Sequence, residues 1–465
     1  MLAWRRPCAG LATGSTGYAG PVHWAGRIGG IGQVTRHAGL GQGAVPGWPA
    51  GSAARRGAAW ILGLLTVASA GVAVALALAE ASGHQIDFDI YRMGAGHVFG
   101  SDLYTVRLSR ALMGGSPGMH FTYPPFAALL FVPFSWLPVR AGQVIWSLVN
   151  LAALFAVAAV SIRVARPQWS RATACGVAAL ALLPVLRLNP ADLTVALGQV
   201  NIVIVLLVLA DLTCVLRVGS YQVPRGIGVG IAAAVKLTPL IFIPFLLLTR
   251  QFRAAATALG TFLVCSVGMF AAAPHSSWLY WSTEIFDDRR SGNLRYISDQ
   301  NLASALQRFT GSPVAPLLAG LLTALFAVGG LALAAWAYRV SSPLLAMLLC
   351  AATGLIISPV SWVHHYVWIV PLLAWLALAA DRPRGGQWWA LGLAVLFWAA
   401  PVWRVPDQQT GYGGPLVLLA GNSFFLAMVA FLVLTAVLLA RRARSPRPTG
   451  SDPAALSDPA SRMVA

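Results

Sequence analysis

Residues 59–79 read AWILGLLTVASAGVAVALALA, a run without a charged side chain. A helix needs about 20 apolar residues to cross a bilayer, so this run predicts a membrane span. The chain is 58% hydrophobic and 10% charged, whereas about a quarter of the residues in a soluble domain are charged. We therefore predict an all-α polytopic membrane protein with about twelve spans, some of them halves of broken helices. They are expected near 59–79, 141–162, 172–188, 200–216, 226–236, 238–249, 254–273, 313–339, 343–361, 366–380, 387–402 and 415–440.

The net charge of +18 comes from arginines whose distribution argues against a nucleic-acid partner. With a cytoplasmic N-terminus, the arginines of the short loops fall on the cytoplasmic side, as the positive-inside rule requires. These are Arg163, Arg166, Arg171, Arg217, Arg225, Arg250, Arg253, Arg339, Arg382, Arg384, Arg441, Arg442 and Arg444. Ten of the 14 acidic residues fall on the opposite side. We expect a plasma-membrane protein with both termini in the cytoplasm and any carboxylate chemistry on the extracytoplasmic face.

Both ends of the chain are predicted to be disordered tails. Residues 1–58 contain arginines, glycines and prolines but no acid, and 441–465 are rich in proline. Such compositions cannot bury a core. The N-terminal run is too long for a secretory signal, although a translation start further downstream remains an alternative. The membrane domain is therefore expected to cover 59–440.

Two outer segments, 80–140 and 274–312, are too long to be simple connectors. The first contains Asp87 and Asp89, and after one further residue come Tyr91 and Arg92, which are candidates for substrate binding. Such acids are often solvated, and Asp87 could instead cap a helix over 90–98. In a partly desolvated pocket, however, a carboxylate can act as a general base. Asp87 and Asp89 are therefore the catalytic candidates.

A second unusual run follows in the same outer segment. Phe121-Thr122-Tyr123-Pro124-Pro125 leads into the apolar stretch 126–138, which several prolines interrupt. This stretch is too short to span a bilayer and fits an interfacial or re-entrant helix. Such a helix would hold the acidic loop and Tyr123 against the lipid surface.

Lys236 is the single lysine of the chain and lies between two half-length apolar runs. An ionisable residue at membrane depth is costly, so we expect it to pair with an anion such as a phosphate. A snorkelling lysine at a helix end is the alternative. Gly198-Gln199-Val200-Asn201 opens another span, and the amides of Gln199 and Asn201 could hydrogen-bond substrate hydroxyls.

His364 and His365 follow a Ser358-Pro359 break at the outer end of a predicted span. Unwound backbone at membrane depth is tolerated where it is buried in protein or lines a cavity. The pair is either interfacial or part of a site on the same face as Asp87. Adjacent histidines on a regular helix cannot both face one metal, and the cysteines show no metal-ligand spacing.

The second outer segment mixes aromatic residues, carboxylates, amides and arginines. Aromatic faces pack on sugar rings, while arginines form paired hydrogen bonds with phosphate oxygens. Arg289, Arg290 and Asn301 are therefore candidates for substrate binding. A charge-balanced solvated loop is the alternative.

Six motifs together resemble a known family. They are Asp87-Phe88-Asp89-Ile90-Tyr91, Phe121-Thr122-Tyr123-Pro124-Pro125, Gly198-Gln199-Val200-Asn201, Lys236-Leu237-Thr238-Pro239, Asp299-Gln300-Asn301 and Ser358 to His365. In order and spacing they are similar to the polyprenyl-phosphate-mannose-dependent α-mannosyltransferases of actinobacteria, GT-C enzymes of glycosyltransferase family 87. The resemblance covers about 59–440 and looks closest to the α-(1→2) branching members that act on lipomannan and lipoarabinomannan.

The resemblance implies a GT-C fold with the active site between the first outer loop and the membrane. It implies a polyprenyl-phosphate mannose donor and an acceptor of phosphatidylinositol mannoside, lipomannan or lipoarabinomannan type. Transfer would invert the sugar with one base, Asp87 or, as second candidate, Asp89. His364, His365, Lys236, Arg289 and Arg290 would then bind the acceptor or the leaving phosphate. No cofactor or metal is expected.

A transporter or flippase with a similar number of helices is the competing class. Such proteins carry ionisable residues at mid-membrane and repeat their hydropathy between halves. Here the acids lie in outer loops and the two halves show no repeat. A non-catalytic scaffold for envelope assembly is a third alternative, and replacing Asp87 would leave it intact.

Overall fold

The computed structural model describes residues 52–81, 83–108, 118–214, 217–218, 220–287, 296–405 and 414–444. Their regular structure is helical apart from one antiparallel hairpin, β1 (Arg217–Val218) with β2 (Tyr221–Gln222). The described residues from Thr66 onward form one compact unit. The predicted tails lie outside the described residues, except that the first helix already begins at Ser52 and the last continues to Arg444.

Most of the helices are joined by short connections. They are α1 (Ser52–Ala81), α2 (Ile86–His97), α3 (Pro125–Leu130), α4 (Val132–Ser135), α5 (Val139–Ala165), α6 (Arg171–Leu186), α7 (Asn189–Leu197), α8 (Asn201–Thr213), α9 (Ile227–Val235), α10 (Phe242–Leu248), α11 (Phe252–Ala272), α12 (Pro274–Ser282), α13 (Leu302–Thr310), α14 (Pro316–Val340), α15 (Pro343–Ile357), α16 (Ile369–Leu378), α17 (Gly386–Ala399), α18 (Pro415–Gly421) and α19 (Ser423–Arg444). Short 3₁₀ helices cover Thr238–Ile241, Glu284–Phe286, Val363–Trp368 and Pro401–Arg404.

Five described helices, α1, α5, α11, α14 and α19, are long and apolar enough to cross a membrane. The pair α6 and α7, bent by 79°, would make a sixth span if counted as one. The chain is therefore a multi-pass helical membrane protein. The remaining predicted spans correspond to shorter apolar helices, so the count of twelve stays a prediction.

Two predicted spans differ from the observed helices. The span predicted over 343–361 ends at Ile357, because Pro359 has no N–H to continue a helix. The span predicted over 415–440 is divided at Asn422. The Asn422 side chain donates to Leu418 O at 2.8 Å, a local bond that competes with regular helix bonding.

The predicted short helix over 126–138 consists of α3 and α4, which meet at Phe131. Both pack against α2 through aromatic rings. Phe88 lies edge-on to Phe134 with centroids 5.6 Å apart, and the Tyr91 ring lies 4.7 Å from that of Phe131. These contacts fix the rotation of α2, and with it the direction of Asp87.

Glycines allow two further pairs of helices, α9 with α11 and α14 with α15, to approach closely. A Cβ on Gly230 of α9 would lie 2.6 Å from Ala258 O of α11, and one on Gly330 of α14 would lie 2.1 Å from Thr353 Oγ1 of α15. Small residues commonly bring membrane helices together in this way. The helix α9, which ends directly before Lys236, is thus held against α11.

Candidate active site

The predicted site segments converge on a cavity of about 960 Å³. They are the start of α2, the turn between α7 and α8, the residue after α9 and the helix Val363–Trp368. Its polar lining includes Asp87, Tyr123, Gln199, Lys236, His364 and His365. Leucines and isoleucines of α2, α7 and α15 cover other parts of the wall. The cavity can therefore take a ligand with both polar and apolar parts.

Asp87 lies in the first turn of α2 and is half-buried. Burial raises the pKa of its carboxyl to about 6, although a hydrogen bond with Gln199 and the positive charge of Lys236 act in the opposite direction. The alternative in which Asp87 caps a helix over 90–98 is wrong, since α2 already begins at Ile86. Asp87 is a carboxylate that faces the cavity and can change its charge near neutral pH.

Asp89 points away from this cavity. Two residues along an α-helix correspond to a rotation of about 200°, so Asp87 and Asp89 occupy opposite faces of α2. Asp89 is 9% exposed and accepts a hydrogen bond from Gln143 Nε2 of α5 at 3.3 Å. The second catalytic candidate therefore packs between helices, outside the cavity lining.

The turn that presents Gln199 depends on a glycine. Gly198 adopts a left-handed conformation with φ of 72°, and its carbonyl accepts Trp146 Nε1 at 2.7 Å. A Cβ at this position would lie 2.6 Å from the Cβ of Phe88. The turn brings Gln199 Oε1 within 2.8 Å of the Tyr91 hydroxyl, which donates to it.

Lys236 bonds to two other predicted site residues. Its Nζ donates to Asn201 Oδ1 at 2.9 Å and lies 2.8 Å from His365 Nε2. It also lies 5.5 Å from the centre of the Tyr123 ring. An ammonium has three N–H donors, and the third has no hydrogen-bond partner among the described residues. The lysine therefore offers a positive charge and a donor to a ligand.

His364 contributes both its backbone and its ring. The carbonyl of His364 accepts hydrogen bonds from Thr194 Oγ1 and Asn201 Nδ2, each at 3.2 Å. Its ring lines the cavity, and Nε2 is buried without a hydrogen-bond partner in the described part of the chain. A buried polar atom of this kind favours a ligand. Both histidines therefore line the candidate site together with Asp87.

Comparison with known proteins gives the family of this chain. The model of glycosyltransferase family 87 matches residues 121–359. One relative, from Mycobacterium tuberculosis, is 34% identical, and the match covers 82% of this chain and 94% of the relative. The chain belongs to glycosyltransferase family 87. It is therefore an enzyme, which decides against the transporter and scaffold alternatives.

Two further relatives of this glycosyltransferase come from Mycolicibacterium smegmatis. One is 33% identical over 77% of this chain and 85% of its own length. It and the Mycobacterium tuberculosis protein are named polyprenol-phosphate-mannose-dependent alpha-(1-2)-phosphatidylinositol mannoside mannosyltransferases. The other, 31% identical over 68% of this chain and 75% of its own length, is named as the corresponding pentamannoside mannosyltransferase. No solved structure matches the chain.

Four predicted binding residues of the glycosyltransferase lie outside the cavity lining. Tyr91 and Asn201 bond to the lining residues Gln199 and Lys236, and the other two bond to protein backbone. Arg92 donates to the carbonyls of Phe134 and Leu137, at 3.3 and 3.0 Å, and so ties α2 to the end of α4. Asn301 is fully buried, and its Oδ1 caps α13 by accepting Ser304 N at 2.7 Å. Neither lines the cavity. Arg289 and Arg290 lie outside the described residues.

Sequence reasoning missed several residues that line the cavity of the glycosyltransferase. Among them are His120 and Trp403. Tyr280 and Trp362, which belong to segments already singled out in the sequence, line it as well. Aromatic residues are common at both membrane interfaces, so nothing in their local sequence separates them from ordinary interfacial residues. Among the described residues, no three His, Cys, Asp or Glu side chains cluster closely enough to hold a metal ion.

Proposed function

We propose that this glycosyltransferase moves mannose from a polyprenyl-phosphate mannose donor to a mannosylated phosphatidylinositol lipid, forming an α-(1→2) linkage. The printed names of relatives at 33% and 34% identity support this donor, acceptor and linkage. The single observation that carries the chemistry is that Asp87 and Lys236 line the same cavity. One can accept a proton, and the other can stabilise a phosphate.

Asp87 is the proposed general base. The acceptor hydroxyl oxygen forms a bond to the anomeric carbon while its proton passes to the Asp87 carboxylate, and the bond from that carbon to the phosphate oxygen breaks. One displacement of this kind converts a β-linked donor into an α-linked product. A pKa of about 6 leaves the carboxylate deprotonated at neutral pH yet basic enough to take the proton. Asp89 is disfavoured by its contact with Gln143 away from the cavity.

Lys236 is the proposed partner of the leaving phosphate. Charge builds on the phosphate as the sugar departs, and a preorganised cation in a water-poor site lowers that barrier. Asn201 and His365 hold the ammonium from two sides. His364 Nε2 and the Gln199 amide are proposed to bind donor or acceptor hydroxyls.

The remaining proposals concern topology and cofactors. We propose a GT-C arrangement with about twelve spans, cytoplasmic termini and an active site on the extracytoplasmic face, supported by the arginine distribution. We also propose that transfer needs no metal or other cofactor, because a cationic side chain is available to stabilise the phosphate monoester. Lipomannan and lipoarabinomannan are further proposed acceptors.

The test is a transfer assay with membranes that contain the wild-type chain or Asp87→Asn. Radiolabelled polyprenyl-phosphate mannose is supplied with a phosphatidylinositol mannoside, with lipomannan or with neither, and the product linkage is determined. We expect an α-(1→2) product from the wild type alone. Equal product from both proteins would contradict the assignment of the base, and no transfer to any acceptor would contradict the proposed function.

Two further variants control this assay. Asp102→Asn removes another acid of the same outer segment that pairs with His97 at 2.7 Å outside the cavity lining, and it should transfer like the wild type. Asp89→Asn addresses the second catalytic candidate. If Asp89→Asn abolished transfer while Asp87→Asn did not, the base would be Asp89.

A further inference from the structure

A second buried polar cluster adjoins the segment that carries the two histidines. Its members, here called the clamp, are Asp299, Gln300, Asn301, Arg308 and Asn422, all 7% exposed or less. None of them lines the cavity. The side chains of the clamp therefore do not reach the surface of the cavity, and their described partners are other parts of the protein.

The clamp fixes the unwound backbone after α15. Asp299 Oδ1 accepts Ser361 N at 2.8 Å, and Gln300 N donates to Ser361 O at 2.8 Å. Asn301 Nδ2 donates to Pro359 O at 2.6 Å. Asp299 and Trp362 thereby form an antiparallel bridge. The break at Ser358-Pro359 leaves backbone groups without helical partners. The clamp supplies hydrogen-bond partners for the backbone of Pro359 and Ser361.

The clamp is anchored in turn to two helices. Asp299 Oδ2 accepts Ser304 Oγ of α13 at 2.8 Å. Arg308 joins Asp299 O at 2.7 Å to Asn422 Oδ1 at 2.8 Å. Gln300 Oε1 accepts the backbone N–H groups of Phe424 and Phe425 at the start of α19. Residues of α13 and α19 therefore set the position of the break.

The backbone segment bonded by the clamp continues directly into the helix that carries the two histidines of the site. Val363 N donates to Ser298 O at 2.9 Å, and this residue begins the helix that carries His364 and His365. The hydroxyl of Tyr366, one residue further on, donates to Gln300 O. His365 therefore lies between Val363, which is bonded to the residue before Asp299, and Tyr366, which is bonded to Gln300 of the clamp. Its Nε2 contacts Lys236.

We propose that Asp299 is a positioning residue for the transfer reaction, acting through the clamp to hold His365 against Lys236. The inference rests on the proposed function, since it assigns the Lys236–His365 pair to the reaction. Asp299 touches no substrate. Its carboxylate instead fixes the backbone from which His365 projects.

A double-substitution experiment tests this role. Asp299→Asn should lower kcat about fivefold, the factor expected for one lost hydrogen bond, with the acceptor KM unchanged. In a His365→Ala background the same substitution should have little further effect, because the contact that it perturbs is already absent. Losses that multiply in the double variant would overturn the proposal. Asp211→Asn is the matched control, since Asp211 is another buried carboxylate that accepts backbone N–H groups, those of Gly226 and Val229, outside the site.

A second readout does not depend on transfer. Lys236 is the single lysine, so amine labelling followed by peptide mapping reports on this side chain separately from the chain terminus. Asp299→Asn should raise the labelling rate of Lys236 several-fold, as His365→Ala should, while Asp211→Asn should leave it unchanged. An unchanged rate in Asp299→Asn would overturn the proposal. If Asp299→Asn does not fold, Ser304→Ala, which removes one bond to Asp299, takes its place with the same expected direction.

The two readouts also separate the proposals. If the wild type transfers no sugar, the proposed function fails while the labelling rates still decide whether Asp299 positions His365 against Lys236. If the wild type transfers sugar and both readouts show Asp299 to be independent of His365, the positioning role alone fails.

Discussion

Two neighbouring polar clusters of this glycosyltransferase contain the same kinds of side chain and bond them differently. The cavity cluster consists of Asp87, Gln199, Asn201, Lys236 and His365. The clamp consists of Asp299, Gln300, Asn301, Arg308 and Asn422. Burial raises the pKa of one carboxyl in each, Asp87 and Asp299, to about 6. Asp299 accepts a backbone N–H and a hydroxyl and is fully buried, whereas Asp87 is half-buried and lines the cavity. A shifted pKa therefore marks both acids, and only the surrounding geometry separates a candidate base from a positioning group.

The largest expected difference between the clusters lies in the acids. Asp87→Asn should lower kcat about 10³-fold, within the range for loss of a general base, and should leave the protein folded. Asp299→Asn should cost far less activity and more stability. Single-turnover rates and thermal unfolding in detergent measure both. Comparable rate losses in the two variants would erase the distinction between the clusters.

The second-largest difference is expected between the effects of replacing the two buried cations, Lys236 and Arg308. Lys236→Met should lower kcat/KM for the donor about 100-fold, as expected for removal of one preorganised stabilising group. Arg308→Met should instead lower the free energy of unfolding by about 1–3 kcal/mol, since it leaves Asp299 O and Asn422 Oδ1 without their partner. Donor kinetics and denaturant unfolding measure the two effects. A stability loss from Lys236→Met as large as that from Arg308→Met would indicate that Lys236 is structural.

The pH profile sharpens the comparison further. The base acts only when deprotonated, so protonation of Asp87 should lower kcat/KM about tenfold per pH unit below about pH 6. The same fall should persist in Asp299→Asn, because Asp299 does not take the acceptor proton. If the fall in kcat/KM at low pH disappeared in Asp299→Asn, the group that titrates would be Asp299 of the clamp.

Chelation should have the smallest effect of all. Transfer measured after treatment with EDTA should equal transfer without it, because Lys236 is proposed to stabilise the leaving phosphate. Added Mg²⁺ or Mn²⁺ after dialysis is the control. Loss of activity on chelation and its recovery with one of these ions would contradict the proposed metal independence.

Composition and motif spacing predicted the class of the protein and several of the polar residues that line the cavity. Hydropathy and charge are summed along the chain, so the membrane character follows from composition. Asp87, Lys236 and the two histidines were identifiable because ionisable residues are rare in such a chain. The family resemblance placed Asp87 ahead of Asp89, and the packing of α2 on α3 and α4 explains why Asp87 faces the cavity.

Tertiary structure also decided the roles of Arg92 and Asn301. Both belong to residue types that bind sugars and phosphates, and both bond to protein backbone in the structure. A side chain's partners come from segments far away in the chain, as when Asp299 meets Ser361. Local sequence records which groups can bond, whereas the fold alone decides which groups are already satisfied and which remain open to a substrate.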